Sequence, residues 1–514
     1  MTRLALLSAS DKTGIVDLAK VLTTEFDFDI ISSGGTARTL TEAGIPVTKV
    51  SDYTGFPEIL GGRVKTLQPR IHGGLLARTD NADDQKDLAD NDIRPIDLVV
   101  VNLYPFEQTI AKPGATLPDA IENIDIGGPT MLRSAAKNHA YVTVLCDPAQ
   151  YDGYLNELRV NKGQSSLDFR AACARQVFWH TATYDQAIAT YLTEQAGDVT
   201  SGRFAMGGTQ KQTLRYGENP HQPAVWYQTG SQPSGWAAAE KLQGKDLSYN
   251  NLVDLEAARR IIAEFPSENG PAAAVLKHTN PCGVAIGASM ASTYKRAFEA
   301  DNVSAFGGIV ALNQPIDVET AESLTQTFLE CVVAPGCVAE AREVLAKKKN
   351  LRVLVLPDLV SGPSQTIRAI AGGFLTQSSD DFQEDVSQWK MVTERQPSAA
   401  ELTEMLFAWR VAKHVKSNAI VVTNENTTVG IGAGQMNRVG AAKIALEQAA
   451  EKAVGATLAS DGFFPFDDSV RTAAAAGIQA IVQPGGSIRD EESIKAANEL
   501  GVVMAFTGTR HFLH

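Results

Sequence analysis

Short strings in this chain pair glycines with charged or hydroxyl side chains, a combination suited to phosphate binding and proton transfer. Ser32-Ser33-Gly34-Gly35-Thr36 follows an apolar run and opens an amphipathic pattern. A helix start leaves backbone N–H groups unpaired and carries partial positive charge, so such a loop can cradle an anion. Ser10-Asp11-Lys12-Thr13-Gly14 occupies the same kind of position after the first apolar run. Turn chemistry and N-capping account for either loop taken alone. Two loops at matching positions give the phosphate reading equal standing. Gly61-Gly62-Arg63-Val64-Lys65-Thr66-Leu67 begins a stretch that puts Arg63, Lys65 and Arg70 within eight residues of an acidic chain. These cations can meet a phosphate, and Lys65 can serve in proton transfer. The glycines on either side make a plain solvated helix a poorer account.

Asp125-Ile126-Gly127-Gly128-Pro129-Thr130 precedes a helix pattern with proline near its first turn. Arg133 and Lys137 lie four apart and share one face of it. Asp125 can bind a substrate amide or accept a proton, or it can simply order its loop. Further on, Lys277-His278 ends an alanine- and valine-rich strand, with a turn expected at Asn280-Pro281-Cys282-Gly283. An imidazole suits general acid–base work, and an adjacent ammonium suits a developing oxyanion. A structural histidine is the plain alternative. Two other patterns fail. Gly430-Ile431-Gly432-Ala433-Gly434 has Gln435 where a dinucleotide loop needs its third glycine. Pro281-Cys282 has Ala285 where a zinc deaminase needs its second cysteine.

The elements that must carry these strings alternate. Leu4–Ser8 and Phe28–Ile31 read as strands, each followed by a Gly/Ser loop and a helix. The first helix has Ile15, Leu18, Ala19 and Leu22 on one face. Asp97–Val101 and Tyr141–Cys146 are further strands. The repetition predicts an open, mostly parallel α/β sheet with ligands outside the strand C-terminal ends. Residues 167–195 read as one long helix, and a Gly/Ser/Thr-rich stretch after it sets a domain boundary between 198 and 199. Beyond it the chain reads as a duplication: 272–287 resembles 418–434, 332–336 resembles 481–485, and 351–356 resembles 501–506. Each copy reads as hairpin, helix, strand, helix, strand, helix, strand. The alignment sets Asn424 opposite His278. The polar segment 362–400 reads as an irregular connection, dividing 199–365 from 366–514.

Composition narrows the class. The net charge of −13 offers no broad basic footprint for nucleic acid. Five cysteines without C-x-x-C spacing argue against a disulfide framework and a cysteine zinc site, so a reducing cytoplasm is expected. The apolar run in the opening residues is too short for a secretory signal, and no run of about 18 apolar residues suggests a membrane span.

Taken in order, SDKTG, SSGGTA, GGRVKTLQPRIHGG, NLYPF, DIGGPTMLRSAAKNH, RYGENPHQ, LKHTNPCG, SAFGG, KSNAIV, GIGAGQMNRV, SDGFFPFDD and TGTRHFLH resemble the bifunctional AICAR transformylase/IMP cyclohydrolase family over nearly the whole chain. AICAR is 5-aminoimidazole-4-carboxamide ribotide. The resemblance implies a methylglyoxal-synthase-like open parallel sheet for the cyclohydrolase domain (1–198). It implies a pair of duplicated, zinc-free, cytidine-deaminase-like α/β units for the transformylase domain (199–514). It implies 10-formyltetrahydrofolate as co-substrate, no metal for the chemistry, and a homodimer with the transformylase site assembled across subunits. For ring closure it implies nucleotide contacts from Ser10, Lys12, Ser33, Gly34, Gly35, Arg63, Lys65, Thr66, Asn102, Asp125 and Ile126. Lys137 would be the principal proton-transfer residue, assisted by Lys65, Tyr104 and Asp125. For formyl transfer it implies Arg215, Tyr216, Gly307, Asn418, Arg438, Phe463 and Arg510 around the ribotide, and Val439, Asp468, Ser487 and Ile488 towards the folate. His278 would take the proton of the attacking amine, and Lys277 would stabilise the oxyanion or assist the leaving folate nitrogen. Asn418 would join the catalytic group. Glu330 matches the family's acidic position before the APG turn loosely, and the ending RHFLH departs from the family's LFHH-like ending at His514. The competing expectation is a non-catalytic phosphosugar- or nucleotide-sensing protein, which would need no paired acid–base groups.

Overall fold

The computed structural model describes residues 2–197, 202–230 and 232–514. The chain divides into two compact units, Met1–Gly207 and Gly208–His514. The boundary expected between 198 and 199 lies outside the described residues. Among the described residues, no helix is long and apolar enough to cross a membrane.

The first unit is built on β1 (Arg3–Ala9), β2 (Phe28–Ser32), β3 (Thr48–Lys49), β4 (Leu98–Asn102) and β5 (Thr143–Leu145). They pair in the order β3-β2-β1-β4-β5, every neighbour parallel. Parallel strands are covered on both faces, which explains why β1 and β4 are nearly continuous apolar runs. Ile15, Leu18, Ala19 and Leu22 are all buried on helix Ile15–Glu25, as their spacing predicts. β5 is shorter than expected, with Tyr141 and Cys146 outside it. The long helix spans Leu167–Gln195. The order changes direction at β1, whose neighbours β2 and β4 lie on opposite sides. The cleft expected at such a switch point opens beyond Ala9 and Asn102.

The second unit opens with a hairpin, β6 (Thr209–Leu214) and β7 (Ala224–Gln228). One copy of the duplication then runs β8 (Glu240–Gln243), helix Tyr249–Ile262, the hairpin of β9 (Ala272–Lys277) and β10 (Asn280–Ile286), helix Met290–Glu299, β11 (Ile309–Leu312), helix Val318–Leu324, β12 (Cys331–Ala334), helix Ala339–Leu345 and β13 (Arg352–Val355). A paired hairpin follows, β14 (Gln365–Ile370) and β15 (Gly373–Ser378), so the connection is less irregular than its polar sequence suggested. The division expected between 365 and 366 falls inside β14. The second copy repeats the order: β16 (Lys390–Met391), helix Ala399–Ala412, β17 (Ile420–Asn424), β18 (Thr427–Gly432), helix Arg438–Ala449, β19 (Thr457–Ser460), helix Asp468–Ala475, β20 (Ala480–Gln483), helix Asp490–Leu500 and β21 (Val503–Phe506). The leading strand and helix of each copy escaped the sequence reading.

Both copies join one twelve-stranded sheet, β16-β21-β20-β19-β17-β18-β10-β9-β11-β12-β13-β8. They meet where β10 pairs antiparallel with β18, and the arrangement reads the same from either end. The structure corrects the expected position of the first hairpin's turn. Asn280 already pairs with Lys277, so the turn is His278-Thr279, with φ of 53° and 64°. Its counterpart is Glu425-Asn426, with φ of 51° and 53°. Two central residues at positive φ make the tight turn whose twist matches the flanking strands. His278 therefore stands opposite Glu425, and Asn424 stands opposite Lys277.

Candidate active sites

In the first unit, a cleft of about 730 Å³ lies at the C-terminal ends of β1, β2 and β4. It is lined by Ser10, Lys12, Ser33, Gly34, Gly35, Arg63, Lys65, Thr66, Asn102, Tyr104, Asp125 and Ile126, all expected there. Helix Gly34–Glu42 begins in the cleft lining, and Ser33 makes no side-chain cap to its first N–H groups. Gly34 and Gly35 admit two ammonium groups. A Cβ on Gly34 would stand 3.4 Å from Lys65 Nζ, and one on Gly35 3.6 Å from Lys12 Nζ. A helix N-terminus beneath two ammoniums is an anion cradle. Arg63, which pairs with Glu122 at 3.0 Å, is exposed at the rim.

Asn102 has a more structural task than its sequence position implied. Its Oδ1 accepts the Asp11 N–H and its Nδ2 donates to the Asp11 carbonyl, both at 2.8 Å, so it holds the Ser10–Gly14 loop in place. Asp125 Oδ1 accepts the Gly128 N–H at 2.8 Å. Burial raises its pKa, opposed by hydrogen bonds from the backbone at Gly128 and Tyr104. A carboxyl kept closer to its neutral form is suited to exchange a proton. Lys137 is not in this cleft. It sits exposed at the far end of helix Gly127–Lys137, beside His139, Arg175 and Phe178. The cleft lining continues along this helix to Met131, from which Lys137 lies about 9 Å further along the axis.

In the second unit, a cleft of about 990 Å³ gathers Arg215, Tyr216, Lys277, His278, Gly307 and Glu330. Lys277 Nζ donates to the Phe306 carbonyl at 2.9 Å, which fixes the ammonium, and His278 in the same lining is exposed. Glu330 pairs with Arg352 at 2.6 Å. The sequence reading missed Asp254, also in the lining. Its Oδ1 accepts the Thr279 N–H at 2.8 Å and so anchors the His278 turn. Burial raises its pKa, against that hydrogen bond and the nearby His278. The second copy repeats the device, with Glu404 Oε2 accepting the Asn426 N–H at 2.7 Å. Comparing the two copies outside their hairpins is the signal that could have found it.

The remaining expected residues do not line that cleft. They gather on the second copy. Buried Arg438 pairs with buried Asp461, and its Nη2 donates to Asn418 Oδ1 at 2.8 Å. Arg438 leads the helix that also carries Val439. Phe463 and Asp468 are exposed on the stretch after β19, and Ser487 and Ile488 lie on the loop after β20, with Ile488 fully exposed. Arg489 stacks on Phe466 at 4.8 Å, joining those two stretches. Arg510 is exposed and stacks on Phe512 at 4.6 Å. Among the described residues, no group of three or more His, Cys, Asp or Glu side chains is arranged to hold a metal ion.

The model of the AICARFT/IMPCHase bienzyme family matches residues 135–448, and that of the MGS-like domain matches residues 14–130. A Nostoc punctiforme protein named bifunctional purine biosynthesis protein PurH is 70% identical over 100% of both chains. Proteins of the same name from Rippkaea orientalis and a Synechocystis species are 68% and 67% identical, again over 100% of both chains. A solved structure, ForH, aligns with 37% of this chain and 98% of its own at 37% identity, with a TM-score of 0.34.

Proposed function

Because this chain belongs to the AICARFT/IMPCHase bienzyme family, we infer how its two clefts divide the work of a bifunctional enzyme of purine biosynthesis. The enzyme formylates AICAR from a formyl-folate and then closes the product, FAICAR, to inosine monophosphate. We assign ring closure to the first cleft and formyl transfer to the second, with 10-formyltetrahydrofolate as the donor. The sensor alternative has no support.

In the first cleft the ribotide phosphate sits on the Gly34-Gly35 helix start, between Lys12 and Lys65. Ring closure needs the carboxamide nitrogen to attack the formyl carbon, an oxyanion to be held, and water to leave. Both reacting groups are in one molecule, so orientation supplies much of the rate. Asp125 exchanges the amide proton, and Lys65 and Tyr104 stabilise the oxygen that departs. Lys137 lies outside this cleft, and we propose that a second copy of the chain brings it to the chemistry in a homodimer.

In the second cleft His278 accepts a proton from the attacking amine as nitrogen bonds to the formyl carbon. An aromatic amine is a poor nucleophile, so deprotonation during attack matters. Lys277 stabilises the tetrahedral oxyanion. Collapse breaks the bond to the folate nitrogen, which leaves with a proton. The observation that carries the assignment is the shared cleft of Lys277 and His278, with the ammonium held by the Phe306 carbonyl. Asn418, Arg438, Phe463 and Arg510 complete the ribotide site from the second copy of the duplication, and Val439, Asp468, Ser487 and Ile488 face the folate. We propose that they do so across a homodimer interface.

The purified chain, given AICAR and 10-formyltetrahydrofolate, is expected to produce inosine monophosphate. His278→Ala is expected to lower formyl transfer about 10²–10⁴-fold and still close added FAICAR at the parent rate. Parent-like formyl transfer in that variant removes His278 as the base.

A further inference from the structure

Residues 507–514 follow β21 and join no strand. Arg510, Phe512 and His514 are exposed, whereas His511 between them is 2% exposed. Phe512 and Arg438 both close over Gly462, where a Cβ would stand 2.8 Å from the ring and 2.5 Å from the guanidinium. Arg510 on Phe512 is thereby joined to the Arg438–Asn418 group. What fixes the segment is the buried side chain. His511 Nδ1 lies 2.6 Å from Asp380 Oδ2, and Nε2 lies 2.8 Å from Glu384 Oε1. The rings of Trp409 and Phe382 flank it at 5.3 and 6.5 Å. An ionised carboxylate only accepts, so the imidazole must donate from both nitrogens, and with two protons it is a cation.

We propose that His511 is a positioning residue for formyl transfer: a buried imidazolium clamped by Asp380 and Glu384, it fixes the segment that presents Arg510 to the ribotide. The proposal rests on the reading of Arg510 as a ribotide ligand. The clamp is continuous with the network around Arg438. The backbone N–H of His511 donates to the Asp461 carbonyl at 3.3 Å. Ser417 N–H donates to the Leu513 carbonyl at 2.9 Å, and Ser417 Oγ accepts the Leu513 N–H at 3.2 Å. The same Oγ donates to Asp461, whose other oxygen pairs with Arg438. The further titratable groups acting on Asp380 are Lys413 and His414, both held by Glu264 at 2.9 Å, and burial lowers the pKa of His414.

Burial alone would push the imidazole down, but the hydrogen bonds and charges of the two carboxylates outweigh it and raise its pKa to about 9. A raised folded value means the clamp contributes fully below the ordinary histidine range and is lost as pH rises through about 9. Losing one proton leaves a half-buried or buried carboxylate without its donor, which costs more than the bond itself contributed.

The test measures kcat and the ribotide KM of formyl transfer in the full chain from neutral to alkaline pH, with ring closure as the internal control. In the parent, KM is expected to rise about tenfold as pH passes 9. His511→Gln is expected to show that raised KM already at neutral pH, to lose the alkaline step, and to keep kcat and ring closure near parent values. Glu384→Gln is expected to move the step towards neutral pH, because one carboxylate no longer favours the cation. The comparison variant Arg510→Ala is expected to raise KM at every pH. A parent-like KM in His511→Gln, with KM raised in Arg510→Ala, overturns the clamp. Should His511→Gln fail to fold, an unmoved step in Glu384→Gln overturns it instead. A parent-like KM in Arg510→Ala removes the ribotide reading of Arg510, and the proposal with it.

Discussion

Asp125, for which a proton-transfer role is proposed, carries a cost to the fold. Burial raises its pKa, so the folded chain holds the proton at pH values where the unfolded chain has released it. Stability contributed by this group therefore falls as pH rises from the ordinary carboxylate range through the raised value, and at neutral pH the charge is a penalty. Asp125→Asn keeps an oxygen to accept the Gly128 N–H and removes the charge. The expected outcome is a higher melting temperature at neutral pH, no gain in acid, and ring closure lowered by about 10² or more. Thermal melts at two pH values and a FAICAR assay check it, and an unchanged ring-closure rate would sink the proton-transfer role. In the first cleft the residue types were legible because charge beside glycine in an acidic chain is conspicuous, and in the second Lys277-His278 was legible as an acid–base pair at a strand end, whereas Arg215, Tyr216 and Gly307 followed only from the family resemblance. Which contacts these residues make was not legible. Asn102 looks like any polar residue at a strand end, and only the folded loop shows that both ends of its amide hold Asp11.

Glycine at the level of elements explains the string that failed as a dinucleotide loop. A Cβ on Gly430 would stand 1.9 Å from the Ala445 carbonyl oxygen, and one on Gly432 would stand 2.0 Å from that of Ala441. These glycines let helix Arg438–Ala449 lie directly on β18. Gly283 does the same in the first copy, with 1.9 Å to the Ala297 carbonyl oxygen. Gly430→Ala must push a helix backbone away from a strand, so we expect a loss of about 3 kcal/mol, at the upper end of ordinary overpacking. Denaturant unfolding of the full chain checks this. A midpoint equal to the parent's would mean the helix can shift freely. The helices and strands themselves were legible where periodicity was strong, as in Ile15–Glu25. The turn of the first hairpin was misplaced because Asn-Pro-Cys-Gly has the composition of a turn, whereas His-Thr does not. Positive φ at His278 and Thr279 is sustained by pairing on both flanks and by Asp254, which lies 25 positions away in the chain.

For the whole molecule, the division of expected transformylase residues between a cleft on the first copy and a cluster on the second makes a quantitative prediction. If two chains complete each site, His278→Ala, slowed in formyl transfer, and Arg510→Ala, raised in ribotide KM, complement one another when assayed below that raised KM. With random re-pairing under two-fold symmetry, about a quarter of the sites in the mixture regain every residue. Formyl transfer recovering to that level after mixing and subunit exchange supports assembly across chains. Recovery absent from mixtures shown to have exchanged subunits would put every residue of a site in one chain.

The sequence by itself determined the two α/β architectures, the duplication and the residue types able to bind phosphate and move protons, because these are local properties of periodicity and composition. Tertiary structure alone decided which of those residues meet. It made His278 the counterpart of Glu425, set Lys137 at the far end of its helix from the cleft of Lys65 and Asp125, and enclosed His511 between two carboxylates more than a hundred residues earlier in the chain. The physical reason is that register, burial and long-range ion pairing depend on how separate segments pack, and spacing along the chain carries no record of that.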